Sequence, residues 1–135
     1  MCTHPQYFPS QGGHSHFGTV CSTWVWMCRH TTKRSAANVL GDLERTKVVH
    51  ANVMVSRCAL LMVLLWARAV TTMLEQPGSS LMASHPRMSW ALNIIKARNV
   101  RTWLGMFGAA TQKPVVLYSN TNWLEGTLQG TRTSV

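Results

Sequence analysis

The hydrophobic and polar positions near the start of the chain predict a short strand, a turn and then a long helix. Residues 17–26 begin like a strand, and a turn after Gly18 places Cys21 next to Ser and Thr residues. Residues 48–70 form the longest periodic segment, in which apolar side chains cover nearly every side of a helix. Such a helix is typical of one enclosed in a core, so we expect it to be buried.

The next segment, residues 70–81, has the pattern of the carboxyl end of a buried strand. A β-branched and apolar run stops at Glu75 and then turns through Pro77 and Gly78. In open α/β sheets the ligand crevice lies just outside the carboxyl ends of the strands. Glu75 is therefore a candidate for chemistry, although a strand-end residue that caps the following helix is the commoner role.

The rest of the chain predicts one more helix and two adjacent strands. The helix covers residues 84–97, and the strands cover residues 100–107 and 115–118. The turn between the two strands is short enough for an antiparallel, hairpin-like pair. We expect a flexible leader over residues 1–16, an α/β domain over residues 17–124 and a frayed tail over residues 125–135.

Composition adds a strong charge imbalance to this α/β pattern. The chain has 135 residues, enough for one domain, and its hydrophobic content of 46% favours a packed core over disorder. Its 13 Lys and Arg residues and four acidic residues give a net charge of +9, which favours a polyanionic partner such as nucleic acid or an acidic membrane face. Only residues 29–34 form a tight basic cluster, so the charge supports nucleic-acid binding without locating it.

Two features favour an intracellular protein. The N-terminus is polar and rich in His, Pro and Gly, unlike a signal peptide, so we expect the four cysteines to be reduced thiols. The longest uninterrupted apolar run, residues 58–67, is far shorter than the roughly 20 residues that cross a bilayer. We therefore expect no membrane-spanning segment and no membrane partner.

The His and Cys residues near the N-terminus do not form a recognisable metal motif. His14 and His16 are two apart, and Cys21, Cys28 and His30 lack the paired spacings of a zinc finger. We expect no metal site.

Cys21 and the basic loop after it allow two interpretations each. Cys21 would be a nucleophile if Arg29, Lys33 or Arg34, or a helix N-terminus, activates its thiol. Alternatively, Cys21 is a small buried apolar residue, which is the commoner case. The loop at residues 29–35 offers several donors to phosphate, or is a solvated connection.

The order of elements resembles the second half of the doubly wound S-adenosylmethionine-dependent methyltransferase fold, whose sheet ends in a strand pair of this kind. More specifically, residues 17–124 resemble the cytosine-C5 DNA methyltransferase family and related methylase-like domains. Residues 18–24, Gly-Thr-Val-Cys-Ser-Thr-Trp, approximate the Pro-Cys catalytic loop of that family. Residues 75–77, Glu-Gln-Pro, approximate its Glu-Asn-Pro motif. Residues 107–113, Phe-Gly-Ala-Ala-Thr-Gln-Lys, are similar to its strand-pair motif.

This resemblance implies a role for each matching residue. Cys21, as thiolate, would add to C6 of a cytosine flipped out of duplex DNA, and S-adenosylmethionine would supply the methyl group. Glu75 would hold the Watson–Crick edge of the base and assist protonation at N3. The base or phosphates would be contacted by Gln112 and Lys113, and the DNA backbone by Arg29, Lys33 and Arg34.

The chain departs from the family in ways that indicate an incomplete or degenerate copy. Val20 replaces the proline of the catalytic loop, and Gln76 replaces an asparagine. No glycine-rich cofactor loop follows an N-terminal strand, so no cofactor-binding residue is identified. Two alternatives remain open: a basic, non-catalytic module that binds nucleic acid, and a structural fragment whose exposed sheet edge needs a protein partner.

Overall fold

The structure is a computed structural model that describes residues 12–108 and 110–121, in which strands and helices alternate. The elements are β1 (His14–Phe17), α1 (Arg29–Thr32), α2 (Thr46–Ala67), β2 (Thr71–Pro77), α3 (Pro86–Ile94), β3 (Arg98–Trp103) and β4 (Pro114–Ser119). Short 3-10 helices lie at Trp26–Cys28, Met82–Ser84 and Leu104–Phe107. The predicted α/β class is confirmed.

The four strands form one open, mixed sheet in the order β1-β2-β4-β3. β1 and β2 are parallel, whereas β4 is antiparallel to both of its neighbours, β2 and β3. β3 therefore runs in the same direction as β2, and α3 carries the chain past the position that β4 fills. The predicted antiparallel pair of the last two strands is confirmed.

Burial alternates along β2 and distinguishes the two faces of the sheet. Leu74 and Gln76 are buried, whereas Met73 and Glu75 are half-buried because they point to the other face. α2 and α3 pack against each other and over the face that carries Leu74. The core cluster on this side consists of Trp24, Ala51, Val55, Ala59, Met62, Leu74, Met82, Met88, Ala91 and Ile95. Glu75 therefore lies on the face that points away from these helices.

α2 is buried along one side only, so the expectation that this helix is enclosed in a core is wrong. Its buried residues recur every three or four positions, at Val48, Ala51, Val55, Ala59 and Met62. Its exposed apolar residues include Val53, Leu60, Leu61, Leu64 and Trp66. The sheet and α3 cover one side of the helix, and the described residues leave the opposite side open to solvent.

By length and composition, α2 is also able to cross a membrane, with a hydropathy of 1.9 over its most apolar stretch. Core helices of soluble proteins share that property. Here the helix connects two neighbouring parallel strands and packs against α3, which is the position of the crossover helix in a βαβ unit.

Pairing between strands shifts two boundaries from their predicted places. The flexible leader predicted over residues 1–16 is wrong at residues 14–16, because these residues belong to β1. Their own tendency to form a strand is weak, and pairing with residues 71–74 of β2 stabilises them. β3 likewise starts at Arg98, before the predicted strand, because Arg98 pairs with Ser119 of β4.

Other predicted boundaries are only partly met. α3 is shorter than the predicted helix at residues 84–97, and a 3-10 helix replaces the end of the strand predicted over residues 100–107. Residues 1–11 and the tail predicted over residues 125–135 lie outside the described residues.

Gly41 brings the loop before α2 into close contact with two neighbouring groups. Its φ of +72° lies in the left-handed region, and a Cβ atom there would lie 2.6 Å from the Thr32 carbonyl oxygen and 2.8 Å from Arg34 Cγ. Gly108 has a similar φ of +81°, but a Cβ atom at that position meets no described atom within 4 Å. An alanine at Gly108 would therefore introduce backbone strain alone, whereas an alanine at Gly41 would introduce both strain and steric overlap.

We expect Gly41→Ala to lower the free energy of unfolding by about 3 kcal/mol or more, because strain and overlap with the Thr32 carbonyl add. Gly108→Ala introduces strain alone and should cost about 1 kcal/mol. Urea unfolding followed by circular dichroism measures both losses. Equal losses in the two variants would contradict the close approach at Gly41.

Candidate functional site

The loops that follow β1 and β2 leave the sheet at the same edge because these two strands are parallel. Phe17 ends β1 and is level with Leu74, the residue before Glu75. The loop that carries Cys21 therefore starts beside the end of β2 that carries Glu75.

Hydrogen bonds hold this loop against the turn after β2. The Gln76 side-chain amide donates to Thr19 Oγ1 over 2.9 Å. The Leu81 N–H donates to the Trp24 carbonyl oxygen over 3.0 Å. These contacts connect residues that are more than fifty positions apart in the chain.

The third motif lies at the same edge. β3 is parallel to β2, so its connection to β4 leaves the sheet beside the turn that follows β2. The Gly78 N–H donates to the Pro114 carbonyl oxygen over 2.9 Å, and Gln112 and Lys113 are exposed just before Pro114. We call this region the loop edge, and it comprises residues 18–24, 75–78 and 110–113.

The side chains of Cys21 and Glu75 are both half-buried at the loop edge. Cys21 carries a free thiol, and its carbonyl oxygen accepts a hydrogen bond from the Trp24 N–H over 2.9 Å. The Glu75 carboxylate makes no ion pair or hydrogen bond with any other residue that the structure describes. Both groups are therefore available to a ligand. The Cys21 loop is bonded to Gln76 on the face that α2 and α3 cover, whereas Glu75 points to the other face of the sheet.

Gln76 is the residue at this edge whose role the sequence did not predict. Its side chain is only 1% exposed, and its oxygen accepts a hydrogen bond from Ser80 Oγ over 2.9 Å. With its bond to Thr19, the amide joins the loop after β1 to the turn after β2. Only the pairing of two distant segments gives Gln76 its Thr19 partner, so a pattern read along the chain contains no signal for that bond.

Behind the loop edge lies a buried stack of three side chains, Arg34, Trp24 and His85. The Arg34 guanidinium carbon lies 3.5 Å from the centroid of the Trp24 ring, and the His85 ring meets Trp24 edge-on at 5.7 Å. Arg34 also donates to the Val39 carbonyl oxygen over 2.6 Å and to Asn52 Oδ1 over 3.0 Å. Burial lowers the pKa of Arg34 to about 10.

The five residues predicted to contact nucleic acid differ in their exposure to solvent. Arg34 is 2% exposed, so its prediction as a backbone contact is wrong: this side chain is a structural support inside the protein. Arg29 is half-buried and donates to the Ser79 carbonyl oxygen over 3.2 Å, which ties it to the turn after β2. Lys33, Gln112 and Lys113 are exposed.

The described residues do not fit S-adenosylmethionine. In a doubly wound sheet, a cofactor of this kind binds where the strand order reverses. Within the described sheet, every crossover runs away from β1, and β1 has a strand neighbour on one side only. The described residues therefore contain no reversal point, and we derive no methyl-transfer step from them.

The thiols and histidines form no metal centre in the part of the chain that the structure describes. Cys21, Cys28 and Cys58 are free, and no three His, Cys, Asp or Glu side chains gather among the described residues. Burial raises the pKa of the Cys58 thiol, which keeps it protonated and unreactive.

The chain matches no protein-family model, no curated protein and no solved structure.

The buried stack predicts a loss of stability in mild acid. Burial lowers the pKa of His85 below its ordinary value of 6.5, and the charges of Arg34 and Arg87 lower it further. The unfolded chain binds a proton near pH 6.5, whereas the folded chain keeps this ring neutral. The contribution of neutral His85 to the free energy of unfolding is therefore fully present above about pH 6.5. It falls as the pH decreases towards the lowered pKa of the folded state.

Urea unfolding at pH 7.5 and pH 5.5 measures this effect. We expect the wild-type protein to lose stability at the lower pH and His85→Gln to lose less. His30→Gln, at an exposed position on α1, is the matched control and should keep the wild-type dependence. An unchanged dependence in His85→Gln would show that this histidine does not titrate on unfolding.

Proposed function

We propose that this chain is an incomplete cytosine-C5 DNA methyltransferase-like domain, in which the loop edge binds a cytosine flipped out of DNA. The observation that carries this proposal is the meeting of three distant sequence motifs at one edge of the sheet. The hydrogen bonds from Gln76 to Thr19 and from Gly78 to Pro114 join them. The carboxyl ends of parallel strands form the edge at which open α/β sheets bind ligands, so the three motifs lie where this proposal requires the base to bind.

The sheet topology also supports the resemblance. A doubly wound fold of this kind ends in an adjacent strand pair, and β3 and β4 form such a pair. Its second half contains a parallel crossover between neighbouring strands, which β1, α2 and β2 provide. The proposed family relation is thus consistent with the strand order as well as with the three short motifs.

In this proposal, the base lies across the carboxyl end of β2, so that Cys21 reaches it from the helix-covered face of the sheet and Glu75 reaches it from the other face. The Cys21 sulfur forms a bond to C6 of cytosine, and the electron pair displaced from the C5–C6 bond moves through the ring towards N3. Glu75 assists the transfer of a solvent proton to N3, which relieves the developing charge. The adduct is an enamine whose C5 takes up a solvent proton, and its reversal returns the thiolate and the base. The C5 hydrogen therefore exchanges with water even without a methyl donor.

Binding of S-adenosylmethionine, in this proposal, requires additional strands beside β1. We propose that a protein partner covers that edge of the sheet and completes the cofactor half. The free thiols of Cys21, Cys28 and Cys58 suit a reducing, intracellular compartment.

The alternative function is a non-catalytic module that binds nucleic acid through its charge. The net charge of +9 and the poor fit to the cofactor favour it. In that case the affinity for DNA falls steeply as the salt concentration rises. Substitution of Cys21 or Glu75 leaves that affinity unchanged, and neither residue reacts with the base.

The test is release of tritium from DNA that contains [5-³H]cytosine, in the absence of S-adenosylmethionine. We expect slow release by the wild-type protein, none by Cys21→Ser, and a rate about 100-fold lower in Glu75→Gln because general acid catalysis is lost. Cys58→Ala removes a thiol remote from the loop edge and should keep the wild-type rate.

Two results would decide against catalysis. Tritium release that is equal in the wild type and Cys21→Ser would exclude addition of this thiol to the base. DNA binding that depends on salt, without any tritium release, would favour the non-catalytic module.

A further inference from the structure

A cavity of about 480 Å³ lies between the loop that follows Cys21, the short helix α1 and the start of α2. Its polar lining consists mainly of hydroxyl groups and cations, from Ser22, Thr23, Thr31, Thr46, Arg45 and Lys47. Hydroxyls, ammonium and guanidinium groups are the donors that proteins use to hold phosphate. Because Ser22 and Thr23 directly follow Cys21, the cavity adjoins the loop edge.

The N-terminus of α2 contributes further donors to this cavity. The helix has 22 residues, its N-cap residue is Arg45, and no side chain caps it. No acidic residue lies in its first turn. Within the described part of the chain, the N–H groups of Thr46 and Lys47 have no acceptor. The positive end of the helix dipole and two unused donors therefore remain for an anion.

A buried cation, Arg34, lies behind the cavity wall and adds positive charge close to it. The guanidinium of Arg34 is buried, and its Nη2 atom lies 3.5 Å from Thr23 Oγ1 and 3.4 Å from the Val48 carbonyl oxygen, two residues that line the cavity. Its Nε atom has no hydrogen-bond partner. No described carboxylate lies within ion-pair distance of Arg34.

The acidic residues nearby reduce this positive potential only in part. Asp42 pairs with Arg45 over 3.2 Å and partly neutralises it, and Glu44 is exposed beside them. Lys47 and Arg34 have no such partner in the described residues. A buried charge without a counter-ion is costly, and a bound anion would offset that cost.

We infer that this cavity binds a backbone phosphate of the nucleic acid whose base the Cys21 loop engages. The ligand class is a phosphodiester within about one nucleotide of that base, because Ser22 and Thr23 follow Cys21 directly. Thr46 and Lys47 donate their backbone amides, Lys47 adds its ammonium group, and the hydroxyls of Ser22 and Thr23 complete the donor set. The position of the phosphate rests on the proposed function, whereas the phosphate site itself does not.

Two pairs of variants of the full chain test this inference by fluorescence anisotropy with a labelled DNA duplex. Lys47→Gln should weaken binding about tenfold and lower the salt slope by about one. Lys96→Gln removes the same charge beyond the end of α3, at the opposite edge of the sheet, and should change affinity less than twofold.

Thr46→Pro tests the backbone donor without any change of charge. Proline suits the first position of a helix, and the extended backbone of Arg45 suits a residue before proline. We expect Thr46→Pro to weaken binding several-fold at an unchanged salt slope, whereas Thr46→Ala, which keeps the N–H, should weaken it less. Thermal melting establishes that all four variants are folded.

Inorganic phosphate, used alone as a competitor, distinguishes a free anion from a nucleic-acid backbone. One result would show that the cavity binds free phosphate and would overturn the inference. In it, millimolar phosphate raises the melting temperature of the wild type but not of Lys47→Gln, while Lys47→Gln keeps the wild-type affinity for DNA. Equal effects of Lys47→Gln and Lys96→Gln on DNA binding, or no DNA binding by the wild type, would also overturn it. Loss of affinity in Lys47→Gln without any tritium release would retain the phosphate site and reject the proposed catalysis.

Discussion

The parallel pairing of β1 with β2 is the constraint on which the rest of this structure depends. Parallel neighbours need a long crossover, and α2 supplies it. The same pairing brings the loops after the two strands to one edge, where Gln76 joins them through its bond to Thr19. A β1 that paired antiparallel would direct the Cys21 loop to the far edge and separate it from Glu75. The candidate chemistry therefore follows from strand direction.

The buried side chain of Arg34 is the second support of the loop edge. It stacks on Trp24 and bonds to Val39 and Asn52, so it connects the loop after β1, the loop before α2 and α2 itself. Gly41 permits this arrangement because no larger residue fits beside it. Its charge, without a carboxylate partner in the described residues, biases the adjacent cavity towards anions. One residue thus links packing to a proposed binding property.

The local sequence pattern predicts much of this fold correctly, but it predicts the wrong environment for Arg34 and for α2. The α/β class, the order of its main elements and the closing antiparallel pair follow from spacing along the chain, because strand and helix periods are local properties. The three short motifs likewise propose Cys21, Glu75 and residues 107–113 as a candidate site. Exposure is a property of the folded chain, however. Arg34 therefore looked like a surface contact, and α2 looked like an enclosed helix.

The amino-acid sequence by itself determines the type of each main element and the chemical groups that the element carries. Only the tertiary structure decides that residues 14–16 form a strand, that β4 lies between β2 and β3, and that the loops meet at one edge. Those outcomes depend on hydrogen bonds between segments more than forty residues apart, such as that between Ser119 and the Thr72 carbonyl oxygen. A hydrophobic period of two or of 3.6 residues contains no information about residues so far apart in the chain. Packing in three dimensions therefore determines which segments pair.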